Sequence, residues 1–192
     1  MRSLIVIWLL LCLGACAAPL GASRTVPELR LSPQTLGTPL SLAQHLSVSR
    51  IAPGAGGMGL PQTELEALLE MDAQSLRLAV ITMGQRVLTV QWDGERLQAT
   101  RNEHVPAAID AVHVLRDIQL LYWPAEAIRA QLPAAWSIDD TAGLRTLRYS
   151  GQAQVEIVYS DARRWVGQAT LSNYLEGYRM RIDSVSTQAP SP

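Results

Sequence analysis

The sequence predicts a mainly β domain of the α+β class: a half-open, curled antiparallel β-barrel with a helix covering its concave face. Two observations predict it. Segments with apolar residues at alternate positions occupy both halves of the chain, bounded by Gly and Asp turn signals. Between them lies one stretch, residues 106–123, whose apolar residues recur at helical spacing instead. A single antiparallel sheet of about ten strands must curl to protect its edges, and the helix is the natural filling for the hollow this makes.

The chain begins Met1-Arg2-Ser3, runs uncharged and apolar through residues 4–13, and reaches Gly14-Ala15-Cys16. A basic start, a short apolar core and small residues before the cut describe a secretory signal, and the cysteine that follows makes it a bacterial lipoprotein signal. Residues 1–15 are therefore expected to be removed between Ala15 and Cys16, leaving Cys16 acylated. An uncleaved membrane span is the alternative and fails on length, since a span takes about 20 apolar residues. Two or three acyl chains anchor durably where one anchors reversibly. Ala17 replaces the Asp that marks inner-membrane retention, which points to the outer membrane, lipid-anchored, on its periplasmic face.

Residues 16–38 are rich in Ala, Pro, Gly, Ser and Thr without apolar period, and read as a lipidated flexible tether. Residues 39–186 read as one domain and 187–192 as a disordered tail. Within the domain, strands are predicted over 40–51, 64–71, 76–83, 86–92 and 96–100. Met83-Gly84 and Asp93-Gly94 supply hairpin turns, so the consecutive strands form a meander. Ile109, Val112, Leu115, Ile118 and Leu121 then mark a helix that Pro124 stops, followed by a short helix over 125–131. Strands resume over 136–139, 144–150, 154–159, 166–174 and 178–186, punctuated by Gly151, Asp161 and Gly177.

Composition narrows the function classes. Cys12 leaves with the signal and Cys16 is consumed by lipid, so no thiol remains for disulfides, metal or nucleophilic catalysis. A net charge of −1 gives no attraction for nucleic acid. The 16 basic residues are all arginine and Phe is absent, a pattern that codon bias in a GC-rich genome explains better than a binding site, because the arginines are dispersed.

The segment 84–94, Gly-Gln-Arg-Val-Leu-Thr-Val-Gln-Trp-Asp-Gly, and the segment 114–124, Val-Leu-Arg-Asp-Ile-Gln-Leu-Leu-Tyr-Trp-Pro, resemble motifs of one family. It is an uncharacterised group of small bacterial lipoproteins, a domain of unknown function, associated with aryl-polyene and related fatty-acid-type biosynthesis clusters. That group in turn resembles LolB, an outer-membrane lipoprotein receptor with a half-open barrel covered by helices. The resemblance implies a LolA/LolB-like fold, an acylated cargo and a periplasmic LolA-like carrier as partner. Met58 and Leu60, in the Gly-rich stretch 54–59 and its flank, are the nearest match by composition to a protruding apolar loop that contacts cargo.

No catalytic set emerges. His45, His104 and His113 lack metal-ligand spacing, and no cofactor or metal is implied. Ser150-Gly151 lacks the Gly-x-Ser-x-Gly elbow. Asp139-Asp140 reads as a solvated loop beside Thr-Ala-Gly rather than an acid–base pair. The Gly-rich stretch is not followed by the Lys-Ser or Lys-Thr of a phosphate loop.

What remains is a hydrophobic ligand cavity, for which the inward positions Leu78, Val80, Leu88, Val90, Trp92, Ile118, Leu121 and Trp123 are the candidates. Core packing is the alternative reading of the same residues. Arg116 and Asp117, in the helix among apolar neighbours, are either a polar handle orienting an amphipathic ligand or an Asp bonded to backbone beside an Arg reaching water. The expected function is a non-catalytic outer-membrane lipoprotein that binds an acyl, polyene or lipoprotein-acyl ligand and assists its placement in the outer membrane. The alternative is a periplasm-facing adaptor that docks a partner protein through a strand edge or loop, without a small-molecule ligand.

Overall fold

The computed structural model describes residues 25–51, 62–102 and 110–188. Five strands, β1 (Leu40–Arg50), β2 (Thr63–Met71), β3 (Leu76–Thr82), β4 (Gln85–Trp92) and β5 (Leu97–Arg101), precede two helices, α1 (Ala111–Tyr122) and α2 (Ala125–Gln131). Five more follow: β6 (Trp136–Asp140), β7 (Leu144–Tyr149), β8 (Gln152–Tyr159), β9 (Gly167–Asn173) and β10 (Tyr178–Ser186). All ten make one antiparallel sheet in the order β5-β4-β3-β2-β1-β10-β9-β8-β7-β6. Each half is a meander, as the turn signals predict. The halves join because β1 pairs with β10, from Leu42 opposite Ser186 to Arg50 opposite Tyr178.

Local chemistry sets the turns. Met83 and Gly84 both take positive φ, 50° and 74°, which a two-residue hairpin matched to strand twist requires. At the next turn Asp93 Oδ1 accepts the backbone N–H groups of Glu95 and Arg96 at 2.9 and 2.7 Å. Strand alternation then sorts the faces. Leu40, Leu42, Ala67, Leu69, Leu78, Val80, Leu88 and Val90 are buried on one side, while Glu66, Leu68, Glu70, Arg77 and Gln91 face out.

The sheet is curled but not closed, with β5 and β6 as its edges. Helix α1 shows the curl, because one 12-residue helix reaches strands across the whole order. It packs on β4 and β5 near one edge. Tyr122 Oη accepts a hydrogen bond from Gln44 of β1 at 2.7 Å, and β7 and β8 hold its last carbonyls from the other side. Asp110 is the N-cap residue, so the helix begins later than the predicted residue 106; residues 103–109 lie outside the described ones.

Two expectations are corrected here. Residues 25–38 do not behave as a loose tether: Val26, Leu29 and Leu31 are buried in the same core as the inward face of the sheet, and a 3-10 turn covers Pro33–Leu36. The spacing 26, 29, 31 is the apolar signal that the Pro-rich composition obscured. Second, Leu115–Tyr122 are buried on every side, so Arg116 has no solvated helix face from which to reach water. The sheet covers one side and the strap 26–31 covers the other. At the C-terminal end, Thr187 N–H donates to Ser41 O at 2.9 Å, extending the β1–β10 pairing one residue into the predicted tail. The predicted signal 1–15, with Ala15, the predicted lipidation site Cys16, and the candidate loop residues Met58 and Leu60 lie outside the described residues. Among the described residues no helix is long and apolar enough to cross a membrane.

Candidate functional site

The two ends of the half-barrel are built differently. At one end the strap closes the interior. Trp92 Nε1 donates to Leu31 O at 2.8 Å and Trp123 Nε1 to Ser32 O at 3.1 Å, so the two largest core side chains also fasten the strap. Two carbonyls of the helix terminus find partners there: Arg145 of β7 donates to Leu120 O at 2.5 Å and Tyr159 Oη to Leu121 O at 2.9 Å. A cation at a helix C-terminus is favourable on charge as well as on hydrogen bonding.

Asp140 fixes Arg145 with two bonds, at 2.9 and 3.2 Å, and also takes Arg164 at 3.0 Å. Burial pushes the Asp140 carboxyl up, but the hydrogen bonds and charges of Arg145 and Arg164 outweigh it, and its pKa falls below the usual carboxylate range. Burial also pushes the Tyr159 phenol up, to about 12, so it stays a donor. Asp139 pairs with Arg148 at 2.7 Å. The Asp139-Asp140 pair is thus a set of structural ion pairs, not the solvated loop that the sequence suggests.

The opposite end is looser. Leu46, Leu65, Val114, Leu175 and Met180 pack on the core there but are only half-buried. Leu46 and Leu65 continue the inward rows of β1 and β2, and Met180 that of β10, so these side chains extend the apolar interior to a mouth. Ile51 and Gln62, which flank the segment containing Met58 and Leu60, lie at this end, as does the start of α1.

Arg116 and Asp117 meet the sheet at the mouth. The Arg116 side chain is 1% exposed and grips Glu176, in the β9–β10 turn, by two parallel bonds of 2.6 and 2.9 Å. It also donates to Asp117 Oδ1 at 3.0 Å and to Tyr178 Oη at 3.1 Å. Tyr178 Oη donates to Asp117 Oδ2, and Asn173 Nδ2 donates to Tyr178 Oη at 3.3 Å. Asn173 Oδ1 accepts the Glu176 N–H at 2.9 Å and so shapes the turn.

Desolvation works against the Arg116 charge, but Asp117 and Glu176 more than compensate and keep it protonated. Burial drives the Asp117 carboxyl up, with Arg116 only partly opposing, and burial likewise raises the Tyr178 phenol. Neither bland alternative for Arg116 and Asp117 survives: the arginine does not reach water and the aspartate bonds side chains, not backbone.

The predicted cavity residues Leu78, Val80, Leu88, Val90, Trp92, Ile118, Leu121 and Trp123 come together as one contiguous packed core under α1. Trp92 and Trp123 belong to the strapped end. Sequence reasoning missed Glu176, Tyr178 and Asn173. Leu175-Glu176-Gly177 reads as an ordinary solvated turn, and nothing local signals a buried arginine beneath it.

His45 is exposed on the outer face, 2.9 Å from Glu64, and His113 is exposed on α1. Among the described residues no group of three or more His, Cys, Asp or Glu is placed to hold a metal. The outer face carries a shallow groove of about 860 Å³ across β3, β2, β1 and β10. Ala43, Leu68, Ile81 and Val185 line it; Leu68 is 49% and Val185 62% exposed. Leu68 and Val185 both stand opposite Ala43, which makes one apolar row on that face.

A family described as protein of unknown function, DUF3261, matches residues 41–186, most of the chain and nearly all of the sheet. No curated protein matches the sequence.

Proposed function

The chain belongs to the DUF3261 family, and we propose that it is a non-catalytic, lipid-anchored protein of the outer membrane that takes up a hydrophobic chain at the mouth of its half-barrel. The observation that carries this reading is the half-burial of Leu46, Leu65, Val114, Leu175 and Met180, which together extend the apolar inward face to the mouth. Half-buried apolar side chains held on a rigid sheet suit contact with an acyl or polyene chain.

The lipoprotein signal read over residues 1–15, with Cys16 after the cut, supports a site facing the periplasm, and the resemblance of the 84–94 and 114–124 motifs to a lipoprotein family that in turn resembles LolB supports an acylated cargo handed over by a soluble carrier. Transfer then requires only that carrier, barrel and bilayer compete for the same chain. Replacing Met180 by Glu tests the reading: a folded variant that no longer retains an acyl chain supports it, and undiminished retention sinks it.

A second reading has its own observation. The apolar row Leu68, Ala43, Val185 on the outer face suits docking of a partner protein, as an adaptor would need. Leu68→Arg separates the two, because it damages partner docking and leaves chain retention at the mouth untouched.

A further inference from the structure

We propose that Arg116 is the head-group site for the ligand, that the ligand is an apolar chain ending in a carboxylate, and that Glu176 occupies the ligand's place when the site is empty. This inference rests on the reading of the mouth as a chain-binding site and specifies its chemistry.

Three features carry it. Arg116 is almost wholly buried and sits at the junction of the packed core with the half-buried mouth, where the polar end of an inserted chain would come to rest. An unpaired charge there is costly, so any ligand that opens the mouth must leave the guanidinium with an anion. Next, Arg116 is bonded to two carboxylates at once, Asp117 at 3.0 Å and Glu176 at 2.6 Å. With Asp117 in place, Arg116 keeps one counter-charge when Glu176 is exchanged.

The two are not equivalent. Asp117 is fixed on α1 beside its partner and tied to Tyr178, with 11% of its side chain exposed. Glu176 lies on a surface turn, 21% exposed, and touches the cluster only through Arg116, its N–H serving the turn. The fork-to-fork geometry at 2.6 and 2.9 Å is that of a planar carboxylate, and another carboxylate reproduces it bond for bond. Exchange of Glu176 for an external carboxylate leaves the count of charges and hydrogen bonds on Arg116 unchanged. An apolar chain with a neutral head offers no such exchange and strands the arginine if it displaces the turn.

The test uses the full chain in its membrane, with a photoactivatable palmitic acid, the matching photoactivatable hexadecanol and a hexadecyl phosphate probe, and mass spectrometry of the labelled peptides. The acid should label mouth peptides more than the alcohol does, and Glu176→Gln should raise labelling by the acid about tenfold with no change for the alcohol. Arg116→Gln should abolish the preference for the acid. Glu176→Gln keeps the Asp117 partner, so it stays informative where Arg116→Gln fails to fold.

Equal response of acid and alcohol to Glu176→Gln overturns the head-group assignment while the chain-binding reading stands. Stronger labelling by the phosphate overturns the carboxylate class. No labelling of the mouth by any probe overturns both readings together.

Discussion

Gln119 grips Leu31 by both of that residue's main-chain polar groups: the Leu31 N–H donates to Oε1 at 3.3 Å and Nε2 donates to Leu31 O at 3.2 Å. Gln119 is wholly buried, and this pair of bonds is how a helix between sheet and strap keeps a polar side chain inside. Gln119→Leu leaves the buried Leu31 N–H without its acceptor, at a cost of about 1–3 kcal/mol. Trypsin cleavage after Arg30 should accelerate and the melting temperature should fall. An unchanged cleavage rate would count against the strap's role.

Asp140 makes stability depend on pH in a defined direction. Its folded-state pKa lies below the ordinary aspartate value of 3.8, so its contribution is complete above that value and disappears as pH falls through the folded pKa. Asp140→Asn should melt lower than the parent protein at neutral pH, because Arg145 and Arg164 lose their counter-charge. The gap should close as pH drops below 3.8. A gap that stays constant across the acid range would show that the carboxylate charge does not hold the end of α1.

Core and mouth positions on the same inward face should separate stability from binding. Leu88→Ala, in the packed core, is expected to cost about 2–5 kcal/mol in chemical denaturation. Leu46→Ala, at the half-buried mouth, should cost less than half of that and weaken acyl-chain retention more. The reverse order in both measurements would place the ligand elsewhere.

Cys16→Ser removes the acceptor for lipid. The mature protein should carry the mass of its acyl groups, and the variant should appear as an uncut precursor lacking them. An unmodified, normally cleaved parent protein would overturn the lipoprotein reading.

Most of the fold was legible because alternation and turn chemistry are local. The Met83-Gly84 and Asp93-Gly94 turns, the helix stopped at Pro124 and the strand at 178–186 all follow from residues within a few positions of one another. The strap was not legible, because Val26, Leu29 and Leu31 are ordered by Trp92 and Gln119, far along the chain.

The site was half legible for the same reason. Arg116 and Asp117 announce themselves as charges in an apolar helix, whereas Glu176 becomes informative only when β10 folds back and brings the turn beneath α1. Arg145 did carry a faint signal, since it shares its strand face with Leu147 and Tyr149, a position where alternation calls for an apolar residue.

The most direct test is mass spectrometry of the non-covalent lipid carried by the purified full chain, compared between the parent protein and Met180→Glu. The account predicts a stoichiometric apolar-chain species bound in addition to the N-terminal acyl groups, and its loss in the folded variant. A folded parent protein free of any such species, or one whose bound species is indifferent to Met180→Glu, would contradict it.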